Sequence, residues 1–121
     1  MARILIVDDD EAIRALIRHI LEPLGLSISE ASNGREGFRR ATRDEYDLIL
    51  VDIRMPDWGG FEAIRSIEIV RPKTRFLVIS AYIDDDARRQ LAEVDSVLAC
   101  LDKPFDVEEL GRIIEKVVRP D

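Results

Sequence analysis

The 121-residue chain has a single cysteine, Cys100, so no internal disulfide can form. Cys100 sits in the apolar run VLACL, where a buried structural thiol is expected in preference to a reactive one. No uninterrupted apolar stretch is long enough to span a bilayer, and MARILIVD passes straight into a strand pattern with no room for a leader. A cytoplasmic protein without membrane contact is therefore expected. Also missing is any G-x-G-x-x-G or P-loop pattern after the first strand, which disfavours a nucleotide cofactor. The one histidine, His19, lies off the apolar stripe of its helix and reads as a solvent-facing residue. Lysine is scarce too: of 18 basic residues only Lys73, Lys103 and Lys116 are lysine. A compact ammonium kept in so arginine-rich a chain raises the question of a geometry that a planar guanidinium cannot meet. With 25 acids against 18 bases the formal charge is -7, which repels phosphate backbones and argues against direct nucleic-acid binding.

The residues present, 46% apolar and 36% charged, are a globular balance, and the length suits one domain over residues 1–121. No linker or internal repeat divides it. Four runs, ILIVD (4–8), DLILVD (47–52), RFLVIS (75–80) and VLACL (97–101), are continuously apolar, as expected of parallel strands covered on both faces. A fifth, LSISEA (26–31), alternates and suits an edge. Between them lie helical patterns. Ile13, Leu16, Ile17, Ile20 and Leu21 share one face behind the cap Asp10, and Pro23 and Gly25 end that helix. Leu110, Ile113, Ile114, Val117 and Val118 form the last, opened by Asp106 with Glu109 three residues on and followed by Pro120. Helices over 34–43, 60–70 and 84–94 fill the remaining gaps, with Asp84, Asp85 and Asp86 at the start of the last of these. Strand and helix alternating five times predicts a doubly wound parallel α/β sheet with right-handed crossovers.

In such sheets ligands collect at the carboxyl ends of strands. Asp8 and Asp9 follow the first strand, Asp52 ends the third, Ser80 ends the fourth and Lys103 follows the fifth. Their convergence suits Mg2+, an ion that takes oxygen ligands and relieves the mutual repulsion of crowded carboxylates. An aspartate beside such an ion can attack phosphorus, and a metal and one cationic side chain can stabilise the charge on the transferring group. Asp52 is the expected nucleophile because it ends a central strand; Asp8 and Asp9 suit the metal, Lys103 the phosphoryl charge and Ser80 a hydroxyl contact. Taken singly, each has a plainer role as a turn, strand-end or surface residue. Asp10 is expected to be a helix cap only.

Across nearly its whole length, through ILIVDD, LILVDIRMPDWGGFE, FLVISAY and LDKPF in that order, the chain resembles the receiver domains of two-component response regulators. The resemblance implies a flavodoxin-like (βα)5 fold with strand order 2-1-3-4-5. It implies phosphorylation of Asp52 by a sensor histidine kinase or a histidine phosphotransfer protein, and self-catalysed loss of the phosphate. Mg2+ would be held by Asp9, Asp52 and the backbone carbonyl of Arg54, with Asp8 assisting through water. Ser80 and Lys103 would contact the phosphoryl group, and a downstream protein or fused output domain would read the surface around the fourth helix and fifth strand. Where similar domains carry a switch aromatic this chain has Cys100, and Ser96-Val97 stands where glycine-alanine is common. Arg54 and Tyr82, two residues beyond Asp52 and Ser80, occupy positions that influence phosphate lifetime in similar domains. Trp58 is expected to be an exposed loop residue. The competing readings are a phosphate-independent interaction module and a haloacid-dehalogenase-like phosphatase with Asp8 and Asp10 as its D-x-D pair.

Overall fold

A computed structural model describes residues 2–56 and 58–119. Its elements are β1 (Arg3–Val7), α1 (Glu11–Leu21), β2 (Ser27–Ala31), α2 (Gly34–Arg43), β3 (Leu48–Val51), α3 (Gly60–Val70), β4 (Arg75–Ser80), α4 (Asp85–Ala92), β5 (Val97–Asp102) and α5 (Val107–Val118). All paired strands run parallel, in the order β2-β1-β3-β4-β5. The fold expected from strand and helix alternation is the one observed.

Period-two alternation sorts the central strands into two cores. Leu5, Val7, Ile49, Val51, Phe76 and Val78 pack with Ala41, Ile64, Ile67 and Leu91 from α2, α3 and α4. Ile4, Ile6, Leu48, Leu50, Leu77 and Ile79 pack with Ile17, Leu21, Leu110 and Ile114 from α1 and α5. Both faces of β1, β3 and β4 are thus covered, which is why these strands read as unbroken apolar runs. β5 departs from the expectation. It is the second edge of the sheet, its residues are only partly buried, and Leu98 is 42% exposed. An edge strand lacks a neighbour on one side, and here its pairing with β4 also shifts register at Phe76/Leu77.

Helix ends follow local chemistry. The Asp10 side chain accepts from the N–H groups of Ala12 (2.9 Å) and Ile13 (3.3 Å), capping α1. Glu22–Leu24 form one 3-10 turn after α1, and Gly25 leaves it at φ 74°, a left-handed conformation that glycine adopts without a Cβ clash. Asn33 caps α2, Asp84 caps α4 and Asp106 caps α5 by the same side-chain to N–H bond. Asp84 is therefore a cap with Asp85 and Asp86 in the first turn, so α4 is shorter than the 84–94 pattern suggests. Pro120, expected just past α5, lies outside the described residues.

At Gly60 the first residue of α3 lies against the backbone of Asp52 and Ile53, and a Cβ there would collide with both. Gly111, inside α5, faces open space. Gly60→Ala is expected to lower stability by about 1–3 kcal/mol through a backbone collision that cannot relax cheaply. Gly111→Ala is expected to raise it by about 0.5–1 kcal/mol through helix propensity. Urea unfolding midpoints of the two variants check the opposite signs.

Candidate functional site

The carboxyl edge of the sheet gathers the acids. Asp8 continues the alternation of Ile4 and Ile6, and Asp52 that of Leu48 and Leu50, on adjacent strands in matching register. The Asp52 N–H donates to the Val7 carbonyl at 2.9 Å, extending the ladder one step past the strands. Both carboxylates are buried, Asp8 at 3% and Asp52 at 5% exposure. Their hydrogen bonding is matched. One oxygen of each accepts the N–H two residues on, from Asp10 to Asp8 Oδ1 at 2.9 Å and from Arg54 to Asp52 Oδ1 at 2.8 Å. The other oxygen of each accepts from the Lys103 ammonium, at 2.8 Å for Asp8 Oδ2 and 3.0 Å for Asp52 Oδ2.

A single ammonium with rotatable donors fits between two carboxylates on separate strands, which answers why lysine stands here in an arginine-rich chain. Asp9 is exposed at the rim, and ligand oxygens of Asp8, Asp9 and Asp52 lie within 4.8 Å of one another. Three carboxylates against one lysine leave the site short of positive charge. Hard oxygen donors at this spacing suit Mg2+. Ser80 ends β4 fully buried, and its Oγ has no hydrogen-bond partner among the described residues. Its carbonyl accepts the Lys103 N–H at 2.7 Å, so the hydroxyl and the ammonium belong to neighbouring chain segments. A buried hydroxyl without a partner is costly unless something brings an acceptor to it.

Burial pushes the Asp8 carboxyl above its ordinary range, and the Asp52 charge adds to the rise against the opposing pull of Lys103 and the Asp10 N–H. For Lys103, burial pulls the ammonium down, but its bonds to Asp8 and Asp52 and their charges together carry it up. Burial likewise raises the Cys100 thiol, in keeping with a structural role on β5.

Some of the supporting residues were not legible in the sequence. Arg14 of α1 donates to the Asp8 carbonyl at 2.6 Å and to Glu30 of β2 at 3.0 Å, and Arg18 donates to Glu30 at 2.7 Å. Arg14 thus braces the acidic loop, with Glu30 holding it beside Arg18, and only the i, i+4 spacing of two arginines on one helix face hinted at it. Burial works to raise the Glu30 carboxyl, but the hydrogen bonds and charges of Arg18 and Arg14 bring it below its usual range. Trp58 corrects its expectation as a free loop residue: it is partly buried, edge-on to Phe38 at 5.6 Å, with the Arg35 guanidinium 5.8 Å from its ring. A Cβ at Gly34, at the start of α2, would collide with the Trp58 carbonyl.

The acids and the bridging lysine thus lie at the carboxyl edge of a doubly wound sheet, where ligands of such folds collect. The chain belongs to the response regulator receiver domain family, which it matches over residues 4–115. It is similar to sporulation initiation phosphotransferase F of Bacillus subtilis, 29% identical over 114 residues that cover 94% of this chain and 91% of that protein. Other curated relatives, at 32% and 34% identity, are longer, and the chain spans only 24%, 46% or 50% of them. Among solved structures, the response regulator TrrA of Thermotoga maritima in complex with Mg2+-BeF is 31% identical with a TM-score of 0.84, covering 97% of this chain and 99% of that one. The receiver domain of a sensor histidine kinase from Pseudomonas aeruginosa, with magnesium coordinated in its active-site cleft, is 28% identical with a TM-score of 0.85, covering 97% of each chain. Residues 4–115 thus form a receiver domain of the kind used in two-component signalling. Among the described residues no helix is long and apolar enough to cross a membrane.

Because the fold raises the Asp8 pKa, it favours the protonated form, and stability present at low pH is lost as pH rises through the folded pKa. In chelator at pH 7, Asp8→Asn is therefore expected to melt higher than the parent. Lys103→Met, which leaves two buried carboxylates without their shared cation, is expected to cost about 3–5 kcal/mol. Its raised pKa places the loss of the same contribution at alkaline pH, above the ordinary lysine range. Thermal melts from about pH 3 to 12 in EDTA check both directions.

Proposed function

We propose that residues 1–121 form one receiver domain whose Asp52 accepts a phosphoryl group from the phosphohistidine of a sensor kinase or a histidine phosphotransfer protein. A carboxylate oxygen of Asp52 attacks phosphorus, the phosphorus–nitrogen bond breaks, and the bonding electron pair leaves with the imidazole nitrogen, giving an aspartyl phosphate. The bridging of Asp8 and Asp52 by Lys103, beside the three-carboxylate cluster, is the observation that carries this reading. An ammonium already bound to the attacking carboxylate can follow the charge onto a phosphoryl oxygen with little movement. Ser80 Oγ, buried without a partner among the described residues, supplies a waiting donor to another.

Asp8, Asp9, Asp52 and the Arg54 carbonyl would hold Mg2+. Bound there, the ion would neutralise charge on the phosphoryl oxygens. Hydrolysis by attack of water on phosphorus returns the Asp52 carboxylate and releases phosphate, so the domain resets itself in the cytoplasm. A downstream protein or a fused output domain reads the altered surface around α4 and β5. The phosphatase alternative is disfavoured because Asp10, the second acid its D-x-D would need, spends its side chain capping α1.

Asp8 and Asp52 are so alike in burial and bonding that labelling must separate them. On incubation with acetyl phosphate and Mg2+, intact mass is expected to show one added phosphoryl group in the parent and in Asp10→Asn. None is expected in Asp52→Asn or in EDTA. A phosphoryl group that persists in Asp52→Asn and disappears in Asp8→Asn would overturn the assignment.

A further inference from the structure

Arg54 ties the loop after β3 to the loop after β4. Its backbone N–H donates to Asp52 Oδ1 at 2.8 Å. Its side chain crosses to the other loop, where Nε donates to the Tyr82 carbonyl at 3.0 Å and Nη2 to Asp84 Oδ2 at 3.3 Å. The guanidinium also lies 5.4 Å from the Tyr82 ring centroid, within cation–π range. Asp84 has a second duty, since its Oδ1 accepts the Ala87 N–H at 2.8 Å and so caps α4. An unbroken series of polar contacts therefore runs from the Asp52 carboxylate through Arg54 and Asp84 to the first turn of α4.

We propose that Arg54 is a positioning residue acting as an electrostatic latch: it holds Tyr82 and the start of α4 in place while Asp52 is unmodified, and lets go when Asp52 carries a phosphoryl group. This rests on Asp52 being the phosphoacceptor. Phosphorylation adds roughly one negative charge beside the residue that bears the guanidinium, and so offers that guanidinium a stronger anion than Asp84. The existing pair is weak enough to lose. Arg54 and Asp84 side chains are 50% and 44% exposed, and ion pairs this open to water are marginal. Nor is the pair packed in: Arg54 and Asp84 line an open groove of about 290 Å3 together with Phe61, Glu62, Asp86 and Ala87. Release would free the Tyr82 ring, already 63% exposed, and loosen the capped turn of α4. Cys100 would then not need to be aromatic for the signal to reach α4, because the path through Arg54 does not pass through it.

Asp84→Asn separates latch from cap, because asparagine keeps the Oδ1 acceptor for Ala87 while replacing the Oδ2 that Arg54 uses. Amide hydrogen exchange over residues 82–88 is measured in the parent, Asp84→Asn and Arg54→Met, with and without beryllofluoride plus Mg2+. In the parent, beryllofluoride is expected to speed exchange there about threefold. Asp84→Asn should already exchange about threefold faster in the free chain and respond little further, with Arg54→Met faster still. Exchange in β1 and β3 should stay as in the parent. Free Asp84→Asn exchanging like the parent, or keeping the full beryllofluoride response, would overturn the latch. So would a parent that takes phosphate from acetyl phosphate without any response at residues 82–88. If the parent neither labels nor responds, the acceptor reading itself falls and the coupling with it.

Discussion

One ammonium between two buried carboxylates holds the site edge of this molecule together. Lys103 reaches Asp8 and Asp52 from just past β5, a strand that pairs with neither β1 nor β3, so it links the loop after β5 to both strands near the middle of the sheet. Without it, two acids at 3% and 5% exposure would face each other with only a backbone N–H apiece. Burying unpaired charge is far more expensive than burying a paired one. Even so, Asp9 leaves the cluster with more negative charge than Lys103 offsets, and the buried Ser80 hydroxyl has no partner among the described residues. The shortage of cation and the surplus donor are complementary to a metal and a phosphoryl group.

The rest of the fold serves to keep these strand ends in register. Two apolar layers clamp β1, β3 and β4 between helices, which fixes the strands that carry Asp8, Asp52 and Ser80. From α1, Arg14 grips the Asp8 carbonyl while Glu30 aligns Arg14 and Arg18. At the start of α3, Gly60 lets the helix rest directly on the Asp52 backbone. Rigid strands and a tethered loop thus meet at one rim, with the least buried strand, β5, on the side that leads to α4.

Most of this was legible in the residue pattern because its causes are local. Continuous apolar runs mark strands covered on both sides, Asn33-Gly34 and Gly59-Gly60 set the starts of α2 and α3, and Asp10 and Asp106 cap as their spacing implies. Convergence of Asp8, Asp9, Asp52 and Lys103 followed from strand ends in a parallel sheet. Less was visible where the outcome depends on neighbours. VLACL is as apolar as the central strands, and only strand order reveals that it lies on an edge. Trp58 looked free because nothing in its loop announces Phe38 and Arg35 from α2. Long arginine side chains were the least predictable, since Arg14 and Arg54 find partners on other elements that spacing does not encode.

Whether the acids are assembled for a cation is tested most directly by melting the chain in a Mg2+ titration, beside Asp9→Asn. A saturable rise in melting temperature is expected, reaching about 2.7 kcal/mol of stabilisation at roughly 100 times the dissociation constant, and much reduced in Asp9→Asn. A melting temperature that does not move in excess Mg2+ would contradict it, leaving the cluster as a strained edge held by Lys103 alone.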